Sequence, residues 1–176
     1  MTNVLNMSRV EGRDIAAVMD PRPLVIVGAC EPAAGRVGFA TIIWATPVSH
    51  EPAMVAFALR AASRTMDIIQ NTDRFSLSVL PPDAESERIV EVCGSKDSDK
   101  GELVEHVLHN NVPIPSHAYG WEVCEVKSIT ETGDHLLVVG RVLEAASAAE
   151  RDDKGRLAPR DTFLCIQHGD YDSLAR

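Results

Sequence analysis

The apolar segments of this chain are short, and each is stopped by a proline, a glycine or a polar turn after no more than strand length. Leu24 to Cys30 ends at Glu31-Pro32, and Val37 to Trp44 follows a turn containing Gly35. Met54 to Leu59 is introduced by Pro52, and Phe75 to Leu80 halts at Pro81-Pro82. Rich in Val, Ile, Phe and Thr, these runs predict strands, and their close spacing predicts antiparallel hairpins. Trp121 to Ile129 and His135 to Leu143 flank Thr130-Glu131-Thr132-Gly133-Asp134 as the clearest hairpin, and Thr162 to Ile166 predicts a last strand.

Helical patterns are fewer. Asp14 to Met19 predicts a short helix stopped by Pro21 and Pro23, and Ser63 precedes Met66, Ile68 and Ile69 in a second. Ala84 to Cys93 and Lys100 to Leu108 predict amphipathic helices around the polar loop Gly94 to Asp99, and Ala145 to Arg160 reads as a charged loop. The 176 residues suit one domain, 1–176, without internal repeats. The expected fold is mainly β with inserted helices: an antiparallel, Greek-key-like barrel, closed or nearly so.

A formal net charge of −9 and a pI near 5.1 argue against nucleic acid as a partner, since a polyphosphate strand would be repelled. A compact phosphate monoester remains compatible, because a few local donors outweigh a distant, screened field. Cys30, Cys93, Cys124 and Cys165 are far apart with no C-x-x-C pair, which predicts reduced, buried thiols rather than a zinc ribbon or dithiol centre. The first ten residues lack the pattern of a secretory leader, and no apolar run approaches membrane-spanning length. The expectation is a cytoplasmic protein with no membrane association.

Chemistry is sparsely written. Ser63 can cap a helix whose first-turn N–H groups would face outward beside Arg64 and Thr65, an arrangement that suits a phosphate as well as an ordinary capped helix. Thr41, Thr46 and Ser49, with Trp44 and Ala45 between them, offer hydroxyls and backbone N–H groups at a strand end. That set suits a flat heteroaromatic ring with carbonyl acceptors, and equally a strand with a buried Trp. His135, just past the Gly133-Asp134 turn, is the candidate for proton transfer, against the reading of a solvated turn histidine. His106 and His109 with Glu102 and Glu105 form only a loose metal pattern, better read as an exposed acidic helix, and no metal is assigned. No G-x-S-x-G, P-loop or G-x-G-x-x-G is present.

Taken in order, these segments resemble the flavin reductase-like family, and within it the flavoredoxin-type branch. The resemblance rests on Pro23 to Ala29, Ala40-Thr41-Ile42-Ile43-Trp44-Ala45-Thr46-Pro47-Val48-Ser49, Ser63-Arg64-Thr65 and Phe75 to Val79. It continues through Cys93-Gly94-Ser95-Lys96-Asp97-Ser98-Asp99-Lys100, Gly133-Asp134-His135 with Gly140, and Gly169-Asp170-Tyr171. It implies an FMN-binding split β-barrel, usually a homodimer, with NADH or NADPH as electron donor. Free flavin, ferric iron or a protein would be the acceptor. By the same resemblance Thr41, Trp44, Ala45, Thr46 and Ser49 would contact the flavin ring or ribityl chain, and Ser63, Arg64 and Thr65 its phosphate. Lys100 and His135 would lie near the cofactor or nicotinamide. A flavin electron carrier without a pyridine nucleotide site is the alternative, and a barrel that has lost its cofactor is a third.

Overall fold

The computed structural model describes residues 7–12, 14–96, 99–158, 161–167 and 170–172, with side chains described up to Cys165. The chain runs α1 (Asp14–Ala17), β1 (Arg22–Pro23), β2 (Val25–Glu31), a 3-10 turn (Pro32–Ala34), β3 (Arg36–Ile42), β4 (Ala45–His50) and β5 (Ala53–Arg60). It continues with α2 (Arg64–Thr72), β6 (Arg74–Val79), α3 (Ala84–Gly94), α4 (Lys100–Leu103), β7 (His106–His109) and β8 (Val112–Pro115). The last elements are β9 (Gly120–Thr132), β10 (His135–Ser147), β11 (Leu164–Gln167) and β12 (Asp170–Asp172).

Seven strands form the main sheet in the order β3-β2-β6-β9-β10-β5-β4, with every neighbouring pair antiparallel. Three hairpins, β2-β3, β4-β5 and β9-β10, supply most of it. The crossover from β5 to β6 travels through α2, so the chain leaves one edge and re-enters the sheet centre. β3 and β4 are the end strands and do not pair with each other, which makes the barrel a split one. This is the expected antiparallel, Greek-key-like architecture, open along one seam.

Residues alternate between two apolar layers. Val25, Val27 and Ala29 of β2 join Phe57, Phe75, Val138 and the α2 residues Met66, Ile68 and Ile69 in one core cluster. Leu24, Ile26 and Phe39 join Ile89, Val90 and Cys93 of α3 in the other. β2 is therefore covered on both faces, which explains why its sequence is an unbroken apolar run rather than an alternation. At Gly28 the close approach of β8 requires glycine: a Cβ there would stand 2.5 Å from the Pro113 carbonyl oxygen.

Four expectations are corrected. The helix placed over Lys100 to Leu108 is one turn only, and His106–His109 is a strand paired with Val112–Pro115. Asn110 and Asn111, at φ 52° and 61°, form the left-handed turn of that hairpin, and asparagine tolerates this conformation better than most residues. Pro113 and Pro115 are accepted because this small sheet has two strands and thus two free edges. The strand read through Trp44 stops at Ile42, and Thr46-Pro47-Val48-Ser49 belongs to a separate edge strand with a bulge between Pro47 and Ser49. β10 runs on to Ser147, inside the stretch read as loop, because β9 offers partners as far as Gly120. α1 ends at Ala17, short of Met19.

Candidate functional site

β4 sits at the open seam and pairs only with β5. Ala58 N–H donates to the Trp44 carbonyl at 2.9 Å, and Ala45 lies opposite Phe57 in the ladder. Antiparallel alternation then turns the Trp44 and Thr46 backbones toward β5 and directs the Ala45 N–H outward, at the unpaired edge. The neighbouring outward position, Pro47, has no N–H to offer.

A cleft of about 500 Å³ lies over this seam, on the face of β5 opposite the core. Val55, Phe57 and Leu59 point into the core cluster, so Ala56 and Ala58 point the other way and form the cleft floor with Leu137. Their small side chains keep that floor flat. Trp44, Ala45 and Thr46 form one wall, Arg22 and Pro23 extend it, and Ala16 and Met19 come from the N-terminal segment. None of the described lining residues is acidic.

Trp44 is 37% exposed, and two partners contact its ring. The His135 imidazole lies 4.8 Å away between centroids, tilted by 48°, and the Arg22 guanidinium carbon lies 5.9 Å from the indole centroid. Arg22 is itself held by Asp20 at 2.6 Å. His135 Nδ1 lies 2.7 Å from Asp134 Oδ1. The hydrogen bond from His135 holds the Asp134 carboxyl below its ordinary range, so it accepts and Nδ1 carries the proton.

The phosphate candidates lie nearby. His135 is paired with Arg60 across β10 and β5, and Ser63 N–H donates back to the Arg60 carbonyl at 3.0 Å. Ser63 occupies the N-cap position of α2 with extended backbone, but its hydroxyl makes no capping bond, contrary to the capping role expected of it. Its Oγ is thereby left for another partner. Arg64 opens the helix and is exposed. Thr65 is 3% exposed, packed where Gly38 lacks a side chain: a Cβ on Gly38 would stand 3.0 Å from Thr65 Oγ1. The Thr65 hydroxyl therefore faces β3 rather than solvent.

Other candidates lie apart from the cleft. Thr41 Oγ1 donates to the Val90 carbonyl at 2.8 Å, and Lys100 Nζ donates to the Cys93 carbonyl at 2.6 Å. Both satisfy carbonyls in the last turns of α3, where cations and donors are favoured. Ser49, beyond the bulge, is half-buried on β4 and does not line the cleft. His106 packs edge-on against Phe39 at 5.4 Å, and His109 bonds Glu144 at 2.8 Å, so the two serve separate surroundings. Asp97, Ser98 and Gly169 lie outside the described residues. Burial pushes the Cys93 and Cys124 thiols up to about 12. Arg22, Ala56, Ala58 and Leu137 were not legible as site residues; the one sequence signal was the alternation of small Ala with large Val, Phe and Leu along β5.

A flavin needs a flat apolar surface, donors for its carbonyl edge and an anion site for its phosphate. The cleft offers the floor and the Ala45 N–H at the seam, and the α2 N-terminus with Ser63 and Arg64 offers donors suited to an anion. Residues 20–175 match the flavin reductase like domain. The chain belongs to the flavin reductase-like family. A flavin reductase of Pseudomonas putida is 31% identical over 134 residues, covering 74% of this chain and 70% of that protein. An FMN-binding protein from Thermus thermophilus superposes with a TM-score of 0.80 at 25% identity, over 98% of this chain and 96% of that one. Flavoredoxin from Methanosarcina acetivorans shares the fold, with a TM-score of 0.79 at 17% identity over 97% and 93% of the two chains. The expected split-barrel flavoprotein oxidoreductase is thus the correct class. Among the described residues no helix is long and apolar enough to cross a membrane.

Proposed function

We propose that this protein is an FMN-dependent reductase that takes hydride from NADH or NADPH and delivers electrons to free flavin, ferric iron or a protein acceptor. The observation that carries this reading is the flat apolar cleft at the barrel seam, with β5, whose alanines form its floor, leading through Arg60 into the turn that opens α2. When bound, the flavin supplies the two-electron chemistry, and the protein binds, orients and shields it.

The α2 N–H groups, with Ser63 Oγ and the Arg64 guanidinium, would hold the phosphate as charge-assisted donors. Ala56 and Ala58 would support the ring face, and Trp44 would close one side. The Ala45 N–H and the Thr46 hydroxyl would address the polar edge. Thr41 and Lys100 would fix the C-terminal end of α3, since each donates to one of its carbonyls. Ser49 would support the β4 bulge. Residues 1–176 act as one domain in this reading, and a homodimer would cover the exposed Ile15, Val18 and Met19 around the cleft. Four free, buried cysteines agree with a reducing cytoplasmic setting.

Purified protein is incubated with FMN, desalted and scanned in the visible range, then given NADH and NADPH in turn without oxygen. Retained flavin absorption that bleaches with either nucleotide is expected. Retained absorption that does not bleach would leave an electron carrier, and loss of flavin on desalting would refute the cofactor assignment.

A further inference from the structure

Trp44 lies between β3 and β4, in the two-residue step by which the chain leaves one edge of the split barrel for the other. A half-exposed indole outside regular structure has several staggered rotamers available, and nothing in its own backbone selects one. Two neighbours do. Arg22 shares the cleft lining with Trp44, whereas His135 contacts the same ring without lining the cleft. The His135 side chain is 16% exposed, and its Nδ1 is engaged by Asp134 at 2.7 Å. The imidazole is thus fixed at one end by the hairpin turn and packs on the indole as a tilted ring pair, 4.8 Å between centroids at 48°.

We propose that His135 is a positioning residue: held by Asp134, it packs on Trp44 and fixes the indole as a wall of the flavin cleft. The ring reaches the ligand through Trp44, not by handing over a proton. This assigns the histidine of the Gly133-Asp134-His135 turn a different task from the proton transfer its sequence suggested. It also gives Asp134 a function, since an exposed carboxylate at a turn otherwise needs no partner. The proposal rests on the flavin-binding reading for its ligand, but the packing can be tested without one.

The test uses a Trp121→Phe background, in which Trp44 is the single tryptophan of the chain. His135→Ala, His135→Phe and Asp134→Asn are compared by acrylamide quenching of Trp44 emission in unliganded protein, and by FMN titration. Circular dichroism checks that each variant folds. His135→Ala is expected to raise quenching toward that of an exposed indole and to weaken FMN binding about three- to tenfold, the value of one aromatic pair. His135→Phe, which keeps the ring face and has no proton to give, is expected to recover most of both losses. Asp134→Asn should show a smaller change of the same sign.

Unchanged quenching in His135→Ala would overturn the proposal. So would a Phe variant as impaired as the Ala variant, since then the ring nitrogens and not the ring face matter. If the background protein itself fails to bind FMN, the flavin reading fails, and the quenching series still decides whether His135 holds Trp44.

Discussion

Replacing Gly28 with alanine should be among the most damaging single-methyl changes available in this chain. Gly28 lies on β2 where β8 crosses it. A Cβ there would stand 2.5 Å from the Pro113 carbonyl oxygen, 2.7 Å from Ser76 Oγ and 3.0 Å from a Phe39 ring carbon. The first distance is about 0.8 Å shorter than a close carbon–oxygen contact. Its partner is backbone, so relief requires β8 to move, not a side chain to rotate. Ser76 Oγ donates to that same carbonyl at 2.6 Å in a buried bond, and displacing β8 breaks it. Overpacking costs about 1–3 kcal/mol and the orphaned buried hydroxyl about 1–3 more, which together make roughly 2–6 kcal/mol. For a chain of this size that lowers Tm by about 10 °C. Thermal unfolding followed by circular dichroism measures it, with Ser76→Ala alone as the reference for the hydrogen-bond share. A Gly28→Ala protein that melts within about 2 °C of wild type would refute the rigid crossing of β8 over β2.

Arg64→Ala should weaken FMN binding about ten- to a hundredfold while leaving riboflavin binding within a few-fold, because riboflavin lacks the phosphate; equal losses for both would place Arg64 elsewhere. Asp83 caps α3 by accepting from Ser86 N–H at 2.9 Å, and Asp83→Ala should cost about 1 kcal/mol in urea unfolding, with Asp83→Asn close to wild type. Cys93 and Cys124 have folded pKa values near 12 against 9.0 for a free thiol, so the folded state keeps protons that the unfolded chain gives up. Their stabilising effect is complete below pH 9 and is lost as pH rises toward 12, and unfolding midpoints should fall over that window. A midpoint that stays level from pH 9 to 11 would show the thiols to be less buried than described.

Much of the fold was written in local pattern. The strand at Leu24–Cys30 follows from a short apolar run bounded by turn residues, and those at Phe75–Leu80 and around Gly133 from side-chain alternation, β-branched content and turn residues, all of which act over a few residues. The α2 helix was legible for the same reason. The His106–His109 strand was misread because a charged, mixed segment carries no clear period, and its hairpin is set by two asparagines whose left-handed backbone needs a partner strand to be useful. β4 was missed because Thr46-Pro47-Val48-Ser49 has poor intrinsic strand character and is extended only because β5 accepts it.

For the site, the residue types were legible in local composition: hydroxyls and an indole in one segment, Ser-Arg-Thr in another, a histidine after a turn. Their assembly was decided by the tertiary structure alone. The antiparallel register brings His135 opposite Arg60, hence beside the α2 N-terminus, while the chain step between β3 and β4 delivers Trp44 onto the His135 ring. The same three-dimensional arrangement ties Thr41 and Lys100 to α3, where each donates to a backbone carbonyl. Local propensity cannot encode such choices, because hydrogen-bond partners 49 residues apart in the chain, as Thr41 and Val90 are, meet only after the sheet has closed around its core.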